Sequence, residues 1–224
     1  MAVKIDRKLV ESAVREAVRA QLGRDHAQAV PGAPKMVVHA SARHMHVTQA
    51  ALETLFGPGA RLHMAKPLLQ DGHFAAAESV TLIGPKNRLI SSLRILGPVR
   101  NYTQIELAFT DAITLGIEDV PVRNSGDIAG SAGAYVMGPA GMLTMKEGVI
   151  RAAIHVHLDE LAAAHYRVKD RDYMKMLVRG GTSVVFDRVL ARVEKGMKVE
   201  VHMDTDEANA CDLAHASEVK LYRG

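Results

Sequence analysis

Ser79-Val80-Thr81-Leu82-Ile83-Gly84-Pro85-Lys86-Asn87 and, directly after Arg88, Leu89-Ile90-Ser91-Ser92-Leu93-Arg94-Ile95-Leu96-Gly97-Pro98 set the reading of this chain. Each is a short apolar run closed by a Gly-Pro turn signal, the pattern of a strand rather than a helix. The same grammar recurs on both sides, giving further strands at Met36–Ala40, Gln104–Phe109, Ala134–Met137, Lys175–Val178, Ser183–Phe186, Val189–Val193 and Val199–His202. Helices between them are brief: one from Thr48, a plausible N-cap, to Phe56 with Gly57 ending it, another from about Asp159 to Tyr166. Many short strands with few helices argue for small barrels or sandwiches over a doubly wound sheet. Val80-Thr81-Leu82-Ile83-Gly84-Pro85 is echoed by Ala134-Tyr135-Val136-Met137-Gly138-Pro139, which is consistent with two related β domains. The expected fold is mainly β: two small β-barrel domains with short capping helices, plus an N-terminal amphipathic helix.

That helix is written in Ile5, Leu9, Val10, Ala13, Val14, Ala17, Val18 and Leu22, one stripe at 3.6 spacing, with Gly23 placed to end it. Pro31, Gly32 and Pro34 mark the following stretch as a linker. The expected organisation is residues 1–23 helix, 24–35 linker, 36–120 first barrel region and 121–224 second, with strand exchange between the two regions left open. Such a helix either docks on a partner or folds back on its own domain.

Composition excludes several classes. At 224 residues with 48% hydrophobic content the chain can bury a real core, built on Val, Leu, Ile, Met and Ala because Trp is absent and aromatics make up 4%. A balance of 28 basic against 25 acidic residues is too even for a nucleic-acid partner. Cys211 is the only cysteine, so no internal disulfide forms and a reducing cytosol is the expected compartment. Nothing near Cys211 in sequence would lower its pKa, and an ordinary thiol is the reading. No apolar run approaches the roughly 20 residues of a membrane span, and the N-terminus lacks the apolar core of a secretion signal.

The chemistry lies in two histidine pairs of identical spacing, His44-Met45-His46 and His155-Val156-His157, each followed by a helix-like segment. Residues i and i+2 of a strand share a face, about 6.6 Å apart, so one pair can present two imidazoles to one metal ion. Two pairs in matching contexts point to metal-assisted chemistry more strongly than to a polar strand face. His202 ends a strand, and the acidic residues after it, Asp204, Asp206 and Glu207, order a loop or cap a helix. A fifth imidazole ligand there is plausible beside two pairs. Glu106 shares a strand face with Gln104, opposite apolar Ile105 and Leu107; it is the carboxylate candidate, though a solvated strand face is its ordinary explanation. Arg100 has the same parity as Glu106 but would lie about 20 Å away on a straight strand, so one site needs a bend near Asn101-Tyr102. Arg123-Asn124-Ser125-Gly126-Asp127 suits an anion nest with a guanidinium beside it, although taken alone the stretch reads first as an ordinary turn.

Six segments taken in order resemble the PduL-type phosphate acyltransferases, the phosphotransacylases associated with bacterial microcompartments. They are Ser41-Ala42-Arg43-His44-Met45-His46, Gly97-Pro98-Val99-Arg100 with Thr103-Gln104-Ile105-Glu106, Arg123-Asn124-Ser125-Gly126-Asp127, Lys146-Glu147-Gly148-Val149-Ile150, His155-Val156-His157, and the stretch from His202 to Ala210. The resemblance implies two β-barrel domains with a dinuclear zinc site between them and coenzyme A bound alongside. One zinc would sit on His44, His46 and Glu106, the other on His155, His157 and His202, with Glu106 bridging. Arg100 matches the family's phosphate-binding arginine, and Ser125 and Gly126 lie in the stretch associated with that pocket. The N-terminal helix resembles the family's encapsulation peptide. It implies a bacterial cytoplasmic enzyme of the microcompartment lumen, of the kind used in propanediol degradation, docked to shell or cargo and assembled as a homo-oligomer. One departure is visible: the second pair in the family usually reads Arg-His-x-His, whereas Ile154 stands here and the nearest arginine is Arg151.

The expected reaction is reversible acyl transfer, acyl-CoA plus phosphate giving acyl phosphate plus CoA, by direct attack of phosphate positioned by Arg100. Two rivals stay open: a zinc-dependent thioester or phosphoester hydrolase, and a non-catalytic microcompartment scaffold in which zinc is structural.

Overall fold

The computed structural model describes residues 32–223; the expected N-terminal helix and most of the linker lie outside them. The fold is mainly β, as the turn-punctuated pattern predicts. Strands β1 (Val37–Ser41), β2 (His44–His46), β3 (Met64–Pro67), β4 (Phe74–Ile83), β5 (Leu89–Gly97) and β6 (Gln104–Glu106) are followed by β7 (Val122–Arg123), β8 (Ala132–Met137) and β9 (Met142–Ala152). The second half contributes β10 (His155–Leu158), β11 (Tyr173–Arg179), β12 (Val184–Val193), β13 (Glu200–Asp204) and β14 (Glu218–Arg223). Four short helices intervene: α1 (Gln49–Phe56), α2 (Phe109–Leu115), α3 (Glu160–Tyr166) and α4 (Thr205–Ala210).

The strands form two layered units. In the first, β4-β5-β2-β6-β9 run side by side, and β8 pairs with both β9 and β4, closing a six-stranded barrel to which β3 and β7 are appended. In the second, β1-β13-β10-β12-β11-β14 form a curled six-stranded sheet. Each unit has its own apolar core, one around Met45, Leu52, Leu82, Leu93, Ile95 and Ile105, the other around Val156, Leu158, Met174, Met176, Val189 and Val201.

Sheet membership does not divide at residue 120. β1 belongs to the second sheet, paired in parallel with β13, while β7, β8 and β9 belong to the barrel. The echo between Val80–Pro85 and Ala134–Pro139 therefore falls within one unit, where β4 and β8 are neighbours pairing Ile83 with Tyr135.

Local chemistry explains the ends. Thr48 accepts a hydrogen bond from the Ala51 N–H at 3.1 Å and Gly57 terminates α1; Asp159 accepts from the Ala162 N–H at 2.7 Å at the start of α3. Gly84, in the β4–β5 turn, is required by packing: a Cβ there would lie 2.1 Å from the Leu115 carbonyl oxygen at the end of α2. The segment read as one strand over Gln104–Phe109 splits, because the chain leaves the sheet after Glu106 and enters α2. The Asp111 carboxylate then accepts from the Ala108 N–H at 3.4 Å.

Candidate metal centre

The two histidine pairs are built alike. In β2 the rings of His44 and His46 lie 5.0 Å apart at 83°; in β10 those of His155 and His157 lie 5.1 Å apart at 79°. His44 Nδ1 donates to the Ala42 carbonyl at 2.9 Å, and His155 Nδ1 donates to the Ala153 carbonyl at 2.8 Å. A carbonyl only accepts, so both Nδ1 atoms carry the proton and both Nε2 atoms present a lone pair. In the second histidine of each pair, His46 Nδ1 and His157 Nδ1 are buried with no hydrogen-bond partner among the described residues, and His46 Nε2 lies 3.9 Å from Glu106 Oε1. Between them sits core residue Met45 in one strand and Val156 in the other, fully buried on the opposite face.

Neighbouring strands complete each group. β6 runs antiparallel to β2, with Glu106 opposite His44, which brings the Glu106 carboxylate to 3.4 Å from His44 Nε2. β13 runs antiparallel to β10, with His202 opposite His155, and the two rings stack at 5.1 Å and 12°. Ser41 Oγ lies 3.1 Å from His202 Nδ1, and His202 Nε2 is again buried without a hydrogen-bond partner among the described residues. In each triplet, His44/His46/Glu106 and His155/His157/His202, the candidate ligand atoms lie within 4.8 Å of one another. Buried ring nitrogens without a hydrogen bond are costly unless a cation takes their lone pairs, and of the three only His202 Nε2 has a carboxylate close by, Glu200 at 3.2 Å. Imidazole nitrogens with a carboxylate are the donor set of zinc, and the backbone carbonyls of Ala42 and Ala153 fix the tautomers of His44 and His155.

The electrostatics agree. Burial first, then His44 and Arg100, push His46 down to about 2. Burial and His202 push His155 down to about 3 and His157 to about 4. These imidazoles are therefore neutral near neutrality, the form that binds a metal. Burial raises the Glu106 carboxyl, but His44, the Ser125 hydroxyl, His155 and Arg100 outweigh it and hold the group below its usual range. Glu106 thus feels histidines of both triplets.

A pH prediction follows. A histidine kept neutral in the fold has its pKa depressed, so below about 6.5 the unfolded chain takes up protons that the native chain refuses. Its stabilising effect is complete above that pH and is lost as pH falls towards the folded values. For chelator-treated protein, each of His46, His155 and His157 should contribute a loss of about 1.4 kcal/mol per pH unit between pH 6.5 and about 4. Urea midpoints measured across this window should drop steeply. A flat profile would contradict the burial of these groups.

The residues expected to bind an anion lie beside the first triplet. The bend that a shared site requires is present between β5 and β6: Arg100 Nη1 donates to Ser125 Oγ at 3.3 Å, and Ser125 Oγ donates to Glu106 Oε1 at 3.0 Å. Arg100 also donates to the Tyr102 hydroxyl at 2.8 Å. The Gly126 N–H, expected to face an anion, is instead donated to Gln104 Oε1 at 2.7 Å, so it is committed to holding the turn.

Several residues of the site carried no assigned role in the sequence reading. Gln104, fully buried, donates to Glu106 at 2.6 Å and to Ser125 at 2.9 Å; its shared parity with Glu106 was the available signal. Glu200, 1% exposed on β13, accepts from Gln70 at 2.8 Å and lies 3.2 Å from His202 Nε2. Gln70 sits on the β3–β4 hairpin and also donates to the Lys198 carbonyl, a contact between barrel and sheet that no local pattern announces. Ile154, where the resembling family has arginine, is a core residue of the second unit. Arg151 reaches Asp204 and Glu207 and lies 4.4 Å over the Phe109 ring.

Fold and site together define a mainly β protein, a barrel and a curled sheet, with two histidine-rich groups that could each hold a metal ion and an arginine–serine pair beside the first. Comparison with known proteins gives this class a family. The phosphate propanoyltransferase family matches residues 37–214. The phosphate propanoyltransferase of Planctopirus limnophila is 44% identical over 230 residues, covering 100% of this chain and 94% of that protein. That of Thermotoga maritima is 46% identical over 181 residues, covering 80% and 85%, and that of Sebaldella termitidis 37% over 219 residues, covering 98% and 100%. The chain belongs to the phosphate propanoyltransferase family and is an acyltransferase.

Proposed function

We propose that this chain interconverts a short-chain acyl-CoA plus phosphate with acyl phosphate plus CoA at a dinuclear zinc site. His44, His46 and Glu106 would hold one ion and His155, His157 and His202 the other, with Glu106 shared. The first ion would then have three protein ligands and an open position, as in catalytic zinc sites, while the second would have its three histidines and the shared carboxylate. The observation that carries the reading is the hydrogen-bonded chain from Arg100 through Ser125 to Glu106, which couples an anion-binding guanidinium to a metal-ligand carboxylate.

When bound, zinc supplies a lowered thiol pKa and positive charge where an oxyanion develops. The protein residues do the rest. Arg100, oriented by the Tyr102 hydroxyl, holds phosphate by two parallel N–H donors and aims one oxygen at the thioester carbonyl carbon. A phosphate O–C bond forms, the C–S bond breaks, and CoA leaves as the thiolate. Arg100 remains close enough to the site to stabilise the tetrahedral oxyanion. Gln104 keeps Glu106 and Ser125 in place from a buried position, and so excludes water from that side.

Thiol release from propanoyl-CoA tests this directly. Free CoA should appear only when phosphate is added, in step with propanoyl phosphate. Release at an equal rate without phosphate would mean a hydrolase, and no release under either condition would mean a scaffold. We place the enzyme in the bacterial microcompartment lumen, with residues 1–23 as the segment that engages shell or cargo, and expect a homo-oligomer. Among the described residues no helix is long and apolar enough to cross a membrane.

A further inference from the structure

Arg100 donates to Ser125, and Ser125 shares a cavity with a second guanidinium, that of Arg192. Arg192 pairs with His157 across the parallel strands β12 and β10, and His157 pairs with Glu200 across β10 and β13. Residues opposite one another on adjacent strands project from one face of the sheet. Arg192 therefore extends from the face that carries His155, His157 and His202.

A cavity of about 590 Å³ lies at this position, walled by Asn124, Ser125 and Gly126 from the barrel and by Leu190, Arg192 and Glu194 from the curled sheet. Of the other charges around it, Glu194 is exposed and three have neighbours of opposite charge or a backbone donor. Asp127 pairs with Arg123 at 3.1 Å, Asp170 accepts from the Val193 N–H at 2.9 Å, and Arg171 lies 3.8 Å from Asp170. Among the described residues Arg192 has no ion-pair partner. Ser125, which accepts from Arg100, belongs to the lining that the barrel contributes, and Arg192, without an ion-pair partner among the described residues, to the lining that the curled sheet contributes. A phosphate dianion carries more acceptor oxygens than one guanidinium fork can satisfy, and a second fork both neutralises it and fixes its rotation.

The geometry points to Arg192 as a second phosphate-binding residue, which grips the oxygens turned away from Arg100 and holds acyl phosphate in the same way in the reverse direction. This rests on the reading of phosphate as the co-substrate. Glu194, in the same wall and exposed, opposes it and tunes the affinity.

Steady-state kinetics with propanoyl-CoA and inorganic phosphate test the assignment. Wild-type protein is first shown to release thiol in a phosphate-dependent way; failure there defeats the parent reading before any variant is compared. Arg192→Gln should then raise the KM for phosphate about tenfold or more, a step in the range of one charge-assisted hydrogen bond. The KM for propanoyl-CoA should stay within about twofold, and zinc content and thermal midpoint should match wild type. Arg192→Lys should recover part of the loss, and Glu194→Gln should lower the KM for phosphate. An unchanged KM for phosphate in Arg192→Gln would overturn the proposal. So would a rise confined to propanoyl-CoA, which would mean that Arg192 serves a CoA phosphate, or a fall in zinc content, which would make its role structural.

Discussion

Replacing both histidines of one pair, His155→Ala with His157→Ala, should leave a folded protein that retains about one zinc ion in place of two and loses activity by about 10³-fold or more. The argument starts from the separateness of the two triplets. His44 and His46 are carried by β2 in the barrel, and His155 and His157 by β10 in the curled sheet, each pair with its own backbone acceptor at Ala42 or Ala153. Neither pair packs into the apolar clusters, which are formed by the alternate residues Met45 and Val156. Removing the imidazoles therefore deletes ligands without emptying a core. Elemental analysis of the purified double variant, beside circular dichroism, is the check. Two ions retained, or activity within tenfold of wild type, would show that the second triplet holds no metal that the reaction needs. The mirror variant, His44→Ala with His46→Ala, should give the same stoichiometry from the other side.

Strand content and helix ends were readable because they are local properties. Gly84-Pro85, Gly97-Pro98, Thr48 and Asp159 act within a few residues, and the structure uses Thr48 and Asp159 as N-caps. What could not be read was non-local. Met36–Ala40 looks like the first strand of the first domain, yet β1 pairs with β13, with His39 opposite His202. Local pattern holds no record of a partner that far along the chain. β9, eleven residues long, was missed because Lys146, Glu147 and Gly148 interrupt its apolar pattern. The charges face solvent, and Gly148 takes φ +116 where a Cβ would come within 2.8 Å of the Thr103 carbonyl oxygen. The i, i+2 spacing of the histidines was legible as a shared face. That Glu106 comes to face His44 depends on the antiparallel register of β6 against β2, and an alternating polar residue on a strand looks the same when solvated. Arg151 shows the limit most clearly: in sequence it is an arginine displaced from an expected position, and only the packing of β9 against the end of β13 gives it partners.

Those partners make Arg151 the place where barrel and curled sheet are held together most strongly by charge, and its replacement should be the most destabilising single change among the polar residues. Its guanidinium donates from Nε to Asp204 and from Nη2 to Glu207 at 2.6 Å, with all three side chains at least 85% buried. Asp204 and Glu207 are also the capping box of α4, donor and acceptor exchanging between Asp204 N–H and Glu207 at 2.9 Å and between Glu207 N–H and Asp204 at 2.8 Å. Arg151→Met would keep most of the volume over Phe109 but leave two buried carboxylates facing each other, a loss of about 3–5 kcal/mol. The sign of its pH dependence is fixed by Glu207. Burial first, and then the Asp204 charge, raise that carboxyl above its ordinary value against the opposing pull of the Asp204 N–H and of Arg151, and without Arg151 it rises further. A carboxyl raised in the fold destabilises when ionised, and the penalty is relieved as pH falls through the folded value. The deficit of Arg151→Met relative to wild type should therefore be larger at pH 8 than at pH 5 in urea unfolding. A loss below about 1 kcal/mol would place the pair among exposed, weak ion pairs, and an equal loss at both pH values would show that shape, not charge, is what Arg151 contributes. A second substitution separates those cases: with Arg151→Met in place, Glu207→Gln should restore part of the stability, because it removes the uncompensated charge while retaining an acceptor for the Asp204 N–H.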